Sequence, residues 1–137
     1  MIADGLSAIA AQHHAAPVVR RLVAIAPERW QRAPVVIALQ ARVALGDEIG
    51  QRLGAQLVCV LIGERPGLSS PDSLGAYLTF APRIGRTDSE RNCVSNIRPQ
   101  GLDYEAAARR IEWLAAAALA RGVTGIGLKD ESAGLLK

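Results

Sequence analysis

Six consecutive apolar residues, Leu57-Val-Cys-Val-Leu-Ile62, run into Gly63-Glu-Arg-Pro-Gly67 and constrain the fold of this chain more than any other stretch. An apolar run without polar alternation suits a strand buried on both faces, and such a strand needs a layer of structure above and below it. Gly63 and the Pro66-Gly67 pair end the run and leave Glu64 at the carboxyl end of the strand. Open α/β sheets bind ligands at that end. A carboxylate is ordinarily a surface charge, so it is position that makes Glu64 a candidate.

The neighbouring segments repeat the theme. Pro34-Val-Val-Ile-Ala-Leu39 opens a second β-branched apolar run, also suited to burial on both faces and extending to about Val43. Gly46-Asp47 then fits the start of a helix, with Asp47 as its N-cap, Ile49 and Leu53 on one face and Gly54 as its stop. Strand, helix and strand in succession imply a right-handed crossover with the two strands parallel. Leu74 to Ala81 can form another strand, closed by Pro82. Residues 83–100 are polar and aperiodic, and read as a long loop.

Helices are expected at both ends of the chain. From Ser7 to Ala26, Leu6, Ile9, Val18, Leu22 and Ile25 recur at helical spacing, with Pro17 expected to divide the segment in two. Asp103 caps a helix through Arg121, and Gly122 terminates it. Tyr104, Ala107, Ala108, Ile111, Leu114, Ala115 and Ala118 form its core-facing stripe. Its remaining face carries Trp113 and several alanines, which fits either burial against a protein partner or plain helix propensity. The fold class expected is α/β: a Rossmann-like open, mainly parallel sheet flanked by helices, in a single domain over residues 1–128 with a tail at 129–137.

Composition narrows the function classes. No apolar run approaches a membrane span and no charged-then-apolar leader opens the chain, so a cytoplasmic protein is expected. The net charge of +3 is spread over scattered arginines without a basic run, a pattern of solvated surface charge that points away from nucleic acid. Two cysteines are too few for a disulfide framework, and Cys59, inside the apolar run, reads as a small core residue.

Few constellations suggest chemistry by themselves. Adjacent histidines His13-His14 point in different directions on a helix and lack ligand-spaced partners, so no metal site is expected. No phosphate-binding glycine loop or dinucleotide fingerprint is present. Cys93 lies near Arg91 in the polar segment, where a nucleophilic role needs a base that the sequence does not place beside it.

Three motifs, Asp4-Gly-Leu-Ser7, Gly63-Glu-Arg-Pro-Gly-Leu68 and Asn92-Cys-Val-Ser-Asn-Ile97, resemble the small (light) subunit of ethanolamine ammonia-lyase. The likeness runs from Ile2 to about Leu128. It implies a subunit of an adenosylcobalamin-dependent enzyme that converts ethanolamine to acetaldehyde and ammonia. It also implies a hetero-oligomer with a large catalytic subunit, and association with a bacterial microcompartment in some members. By motif, the family's cofactor-binding residues fall on Val43, Glu64 and Cys93. The resemblance implies that Val43 packs on the corrin, Glu64 accepts hydrogen bonds from its amide fringe and Cys93 makes a polarizable packing contact, with no catalytic residue in this chain. In the family an internal strand and a substantial region precede Asp-Gly-Leu-Ser, so the resemblance reads the chain as truncated at its N-terminus. The competing expectation is a noncatalytic α/β interaction domain that no longer holds cobalamin. A free-standing hydrolase using Cys93 is a third, disfavoured for want of a base.

Overall fold

The central strand of the sheet, β3 (Leu57–Gly63), is the apolar run itself, and the other elements are arranged about it. The computed structural model describes residues 1–68 and 70–136. In chain order the remaining elements are β1 (Ile2–Ala3), α1 (Ala8–Ile25), α2 (Pro27–Trp30), β2 (Ile37–Ala38), α3 (Val43–Arg52), β4 (Leu74–Phe80), β5 (Arg91–Ile97) and α4 (Tyr104–Arg121). The strands lie in one sheet in the order β2-β1-β3-β4-β5. The fold is α/β, as the sequence indicates.

The sheet is mixed. β1 pairs parallel to both β2 and β3, whereas β3–β4 and β4–β5 are antiparallel. The parallel direction expected for the strands at 34–43 and 56–62 therefore holds, with β1 standing between them. The antiparallel half follows from chain economy: no crossover helix separates β3 from β4 or β4 from β5, and a direct return must run antiparallel.

Each face of the sheet has its own cover. On one face α1 and α4 pack Ala11, Ala15, Val18 and Leu22 with Ala107, Ala108, Ile111, Leu114, Ala115 and Ala118 over Leu74, Ala76, Leu78, Val94 and Ile97. The other face buries a smaller cluster of Ala3, Ala41, Val58, Val60 and Ile62, against which Val43, Leu45 and Tyr77 pack. Among the described elements α3 covers this second face over β3, with residues 86–88 set against Arg91 at its end. The region over β4 and β5 beyond α3 is left open.

Several expectations are corrected. Pro17 lies inside an unbroken α1. Its missing N–H and ring cost a helix roughly 3 kcal/mol, but Ala11, Ala15, Val18 and Leu22 on either side of it are all buried, so packing on both halves keeps one axis. The run at 34–43 gives a two-residue strand at the sheet edge, with Ile37 72% and Leu39 79% exposed instead of buried on both faces. Helix α3 starts at Val43, not after Asp47, and Asp47 is a buried residue in its middle. The polar segment at 83–100 is not a loop throughout. Residues 91–97 form β5, an edge strand whose Val94 and Ile97 enter the core while Cys93 and Ser95 face the open side. Helix α4 matches its reading, with Asp103 accepting from Ala106 N at 2.8 Å and Gly122 in the left-handed region at φ 70°.

Candidate functional site

At the carboxyl end of β3 the chain crosses itself at close quarters. A Cβ on Gly63 would sit 1.9 Å from Ser7 O and 2.6 Å from Asp4 O, so only glycine lets the segment after β1 pass over the strand end. Leu6 N donates to Gly63 O at 3.0 Å, and Ser7 caps α1 through Ala10 N at 3.2 Å. Asp4 turns this crossing into a joint. Its Oδ1 accepts from Gly5 N at 2.8 Å and Ala41 N at 3.1 Å, and its Oδ2 from Gln40 N at 2.7 Å. These donors, Gln40 and Ala41 foremost, hold the Asp4 carboxyl below its ordinary pKa. Arg42 closes the joint from the other side, its Nη1 donating to Gly5 O at 2.9 Å. The first turn of α3, with Val43, is thereby fixed beside the ends of β1 and β3.

Glu64 follows directly. Its backbone N donates to Ser73 O at 3.0 Å, and its Oε1 accepts from Ser73 Oγ and from Asn96 N, both at 2.9 Å. Asn96 reaches it because β5 is irregular: the register slips between Leu74 and Ala76, and Asn96 takes φ 58°. Gly75 faces the carboxylate, and a Cβ there would come within 3.1 Å of Oε2. The carboxylate is thus clamped through one oxygen. Oε2 has no hydrogen-bond donor among the described residues and remains an acceptor.

Cys93 lies on β5, exposed, with its Sγ 3.3 Å from Ser95 Oγ and its backbone paired with Tyr77 of β4. Tyr77 pairs on its other side with Val60 of β3, so its ring stands mid-sheet between the apolar cluster and the thiol. Burial first, and then the thiol of Cys93 and the carboxylate of Glu64, push the Tyr77 hydroxyl up to about 12. It is therefore a protonated donor at neutral pH. Among the described residues no histidine joins this group: His14 belongs to α1, its Nδ1 2.6 Å from Tyr104 Oη and its Nε2 2.8 Å from Asp72 O. Among the described residues no histidine therefore stands beside Cys93 as a base, and its surroundings suit contact with a ligand rather than nucleophilic attack. Burial pushes the thiol of Cys59 up to about 11, which makes it inert.

A buried ion pair sets the distance between α3 and β5. Arg91 Nη1 and Nη2 donate to Asp47 Oδ1 and Oδ2 at 2.6 and 2.8 Å, and Nη1 also reaches Thr79 Oγ1 at 3.1 Å. Nε binds Asp88 Oδ1 at 3.2 Å, and Nη2 the Arg86 carbonyl at 3.2 Å. The helix bearing Val43 and the strand bearing Cys93 are clasped through the residues that start β5 and centre α3.

Val43, Glu64 and Cys93 therefore face the same side of the sheet, around the part of it that α3 leaves open. The surface they border is apolar at Val43 and Tyr77, accepting at Glu64 and soft at Cys93. Among the described residues no group of three or more His, Cys, Asp and Glu is placed to hold a metal ion. Sequence reasoning missed Tyr77 and misassigned Asp47 and Arg91. The signal for Tyr77 was present, because Gly75, Tyr77 and Thr79 alternate with Leu74, Ala76 and Leu78, marking one face of β4 as small or polar. The Asp47–Arg91 contact spans 44 residues and no local pattern announces it.

The family profile described as ethanolamine ammonia-lyase light chain matches residues 1–129. Proteins described as ethanolamine ammonia-lyase small subunit are 54% identical over 133 residues in Azotobacter vinelandii, covering 96% of this chain and 49% of the relative. In Bradyrhizobium diazoefficiens the identity is 60% over 135 residues, covering 97% and 52%, and in Ralstonia nicotianae 52% over 131 residues, covering 95% and 48%. The chain spans about half the length of the curated relatives it matches. With nearly the whole sequence matched by the profile, the chain belongs to the ethanolamine ammonia-lyase light chain family.

Proposed function

We propose that this chain is a cofactor-clamping part of an ethanolamine ammonia-lyase small subunit, pressing adenosylcobalamin against a large catalytic subunit in a hetero-oligomer. The observation that carries the reading is the shared open face of Val43, Glu64 and Cys93, with a free acceptor oxygen on Glu64. The surface fits the group: a corrin is a broad apolar disc with an amide fringe, and this face offers apolar surface beside a carboxylate that can accept from amide N–H groups. When bound, adenosylcobalamin supplies the radical chemistry that converts ethanolamine to acetaldehyde and ammonia.

The chain's own residues bind and orient. Val43, held by the Asp4 joint, packs against the disc. Glu64, fixed through Oε1 by Ser73 and Asn96, aims Oε2 at the fringe, and Cys93 adds a polarizable contact. Closing this face with a partner excludes water from the disc and adds no reacting group from this chain. Substrate binding and turnover then belong to the large subunit. Ethanolamine deamination assayed on the chain, on a cognate large subunit and on their mixture tests the division: turnover is expected in the mixture alone. Turnover by the isolated chain would overturn it. A complex that forms but neither holds cobalamin nor turns over would favour the alternative, a noncatalytic interaction domain.

A further inference from the structure

We propose that Tyr77 is a further ligand-contact residue of this face, donating a hydrogen bond from its hydroxyl to a carbonyl oxygen of the bound corrin's amide fringe. The inference rests on the cobalamin-clamping reading and adds to it a hydroxyl donor, stronger than the Cys93 thiol.

The placement follows from register. β4 turns three residues toward this side: Gly75, Tyr77 and Thr79. Gly75 has no side chain and makes room for the Glu64 carboxylate. Thr79 is 1% exposed and is held by Arg91. Tyr77 alone of the three reaches the open surface, half-buried, with Val60 on one flank and Cys93 on the other. Any broad ligand that touches both Glu64 and Cys93 has to pass over it. The arrangement also completes the chemistry. Glu64 offers an acceptor and Cys93 a soft contact whose S–H is only a weak donor, but amide groups carry carbonyl oxygens as well as N–H, and a face without a strong donor leaves those oxygens poorly matched. A protonated phenol standing between the two supplies the missing donor, and its ring offers flat apolar area at low conformational cost.

The test compares Tyr77→Phe with wild type, each mixed with a cognate large subunit and titrated with adenosylcobalamin by absorbance and calorimetry. Phe keeps the ring and its packing on Val60 and removes only the hydroxyl, so co-elution of the two subunits and the unfolding midpoint of the chain should stay as in wild type. Cofactor affinity is expected to fall by roughly three- to tenfold, the range for loss of one neutral hydrogen bond. Equal affinity of Tyr77→Phe and wild type would overturn the Tyr77 contact while leaving the clamp intact. Absence of cofactor binding by wild type itself would overturn the clamp, and the contact with it.

Discussion

The carboxylate of Asp47 and the guanidinium of Arg91 meet through two parallel hydrogen bonds of 2.6 and 2.8 Å, with Asp47 2% and Arg91 8% exposed. This bidentate pair joins the middle of α3 to the first residue of β5 and so fixes the spacing of the elements that carry Val43 and Cys93. Thr79, Asp88 and the Arg86 carbonyl take further guanidinium N–H groups, so the charge is matched on several sides.

Removing one partner strips the other buried charge of its bidentate counterion, the exposed Asp88 alone remaining beside Arg91, which costs about 3–5 kcal/mol. Asp47→Ala and Arg91→Ala are each expected to lower stability by that order in urea unfolding of the chain. Their double mutant should cost less than the sum of the two, because the second truncation relieves the orphan that the first created. Strict additivity would mean the two residues act independently.

Gly75 and Glu64 make a second, steric prediction. A Cβ at position 75 lies 3.1 Å from Glu64 Oε2 and 3.3 Å from Cδ. Gly75→Val should therefore displace the carboxylate and weaken cofactor binding, whereas Gly75→Ala should have a smaller effect because the end of a glutamate can give by a few tenths of an ångström. Equal binding by wild type and the valine variant would mean that Glu64 does not need this position.

The Asp4 joint has a defined pH dependence. Its folded pKa is depressed by backbone donors from Gln40 and Ala41, so its contribution is present above the unfolded value of about 3.9 and is lost as pH falls through the lower folded value. Hydrogen exchange at the Gln40 and Ala41 amides should show loss of protection below about pH 4. Asp4→Asn should lack that acid transition, since the amide does not titrate.

The two thiols should separate cleanly. Cys93 is exposed on the open face, while Cys59 in β3 has its thiol raised to about 11 by burial. Titration of the native chain with a thiol-reactive disulfide reagent at pH 8 is expected to modify one cysteine promptly and the second only on unfolding, with peptide mapping assigning the first to Cys93. Prompt modification of both would contradict the packing of β3.

Local chemistry made some elements legible and hid others. Asp103, the alanine-rich stripe and Gly122 state α4 in full, because cap, face and terminator all lie within the segment itself. The bounds of β3 and β4 follow from Gly63 and from Pro82 for the same reason. β5 was hidden because an edge strand with one open face needs only Val94 and Ile97 to be apolar, and its other residues look like a loop. The run at 34–43 is overread because Val35, Ile37 and Leu39 lie exposed at the sheet edge, which burial-based reasoning does not anticipate. Asp47 reads as a cap because aspartate after a glycine and ahead of the Ile49–Leu53 face is a common helix start, and its partner Arg91 is remote in sequence. At the candidate site, Glu64 is legible from its place at a strand end and Cys93 from its polar segment near Arg91, while Val43 and the cofactor role of all three rest on the motif resemblance. Tyr77 was overlooked although the alternation along β4 pointed to its face.

The most direct measurement is co-elution of adenosylcobalamin on gel filtration with the chain, with a cognate large subunit, and with their mixture, using Glu64→Ala as the control. The account predicts that the corrin absorbance travels with the wild-type mixture, with neither subunit alone, and is diminished with Glu64→Ala although the subunits still associate. A mixture that associates but carries no corrin, or a Glu64→Ala mixture that retains it as fully as wild type, would contradict the clamp.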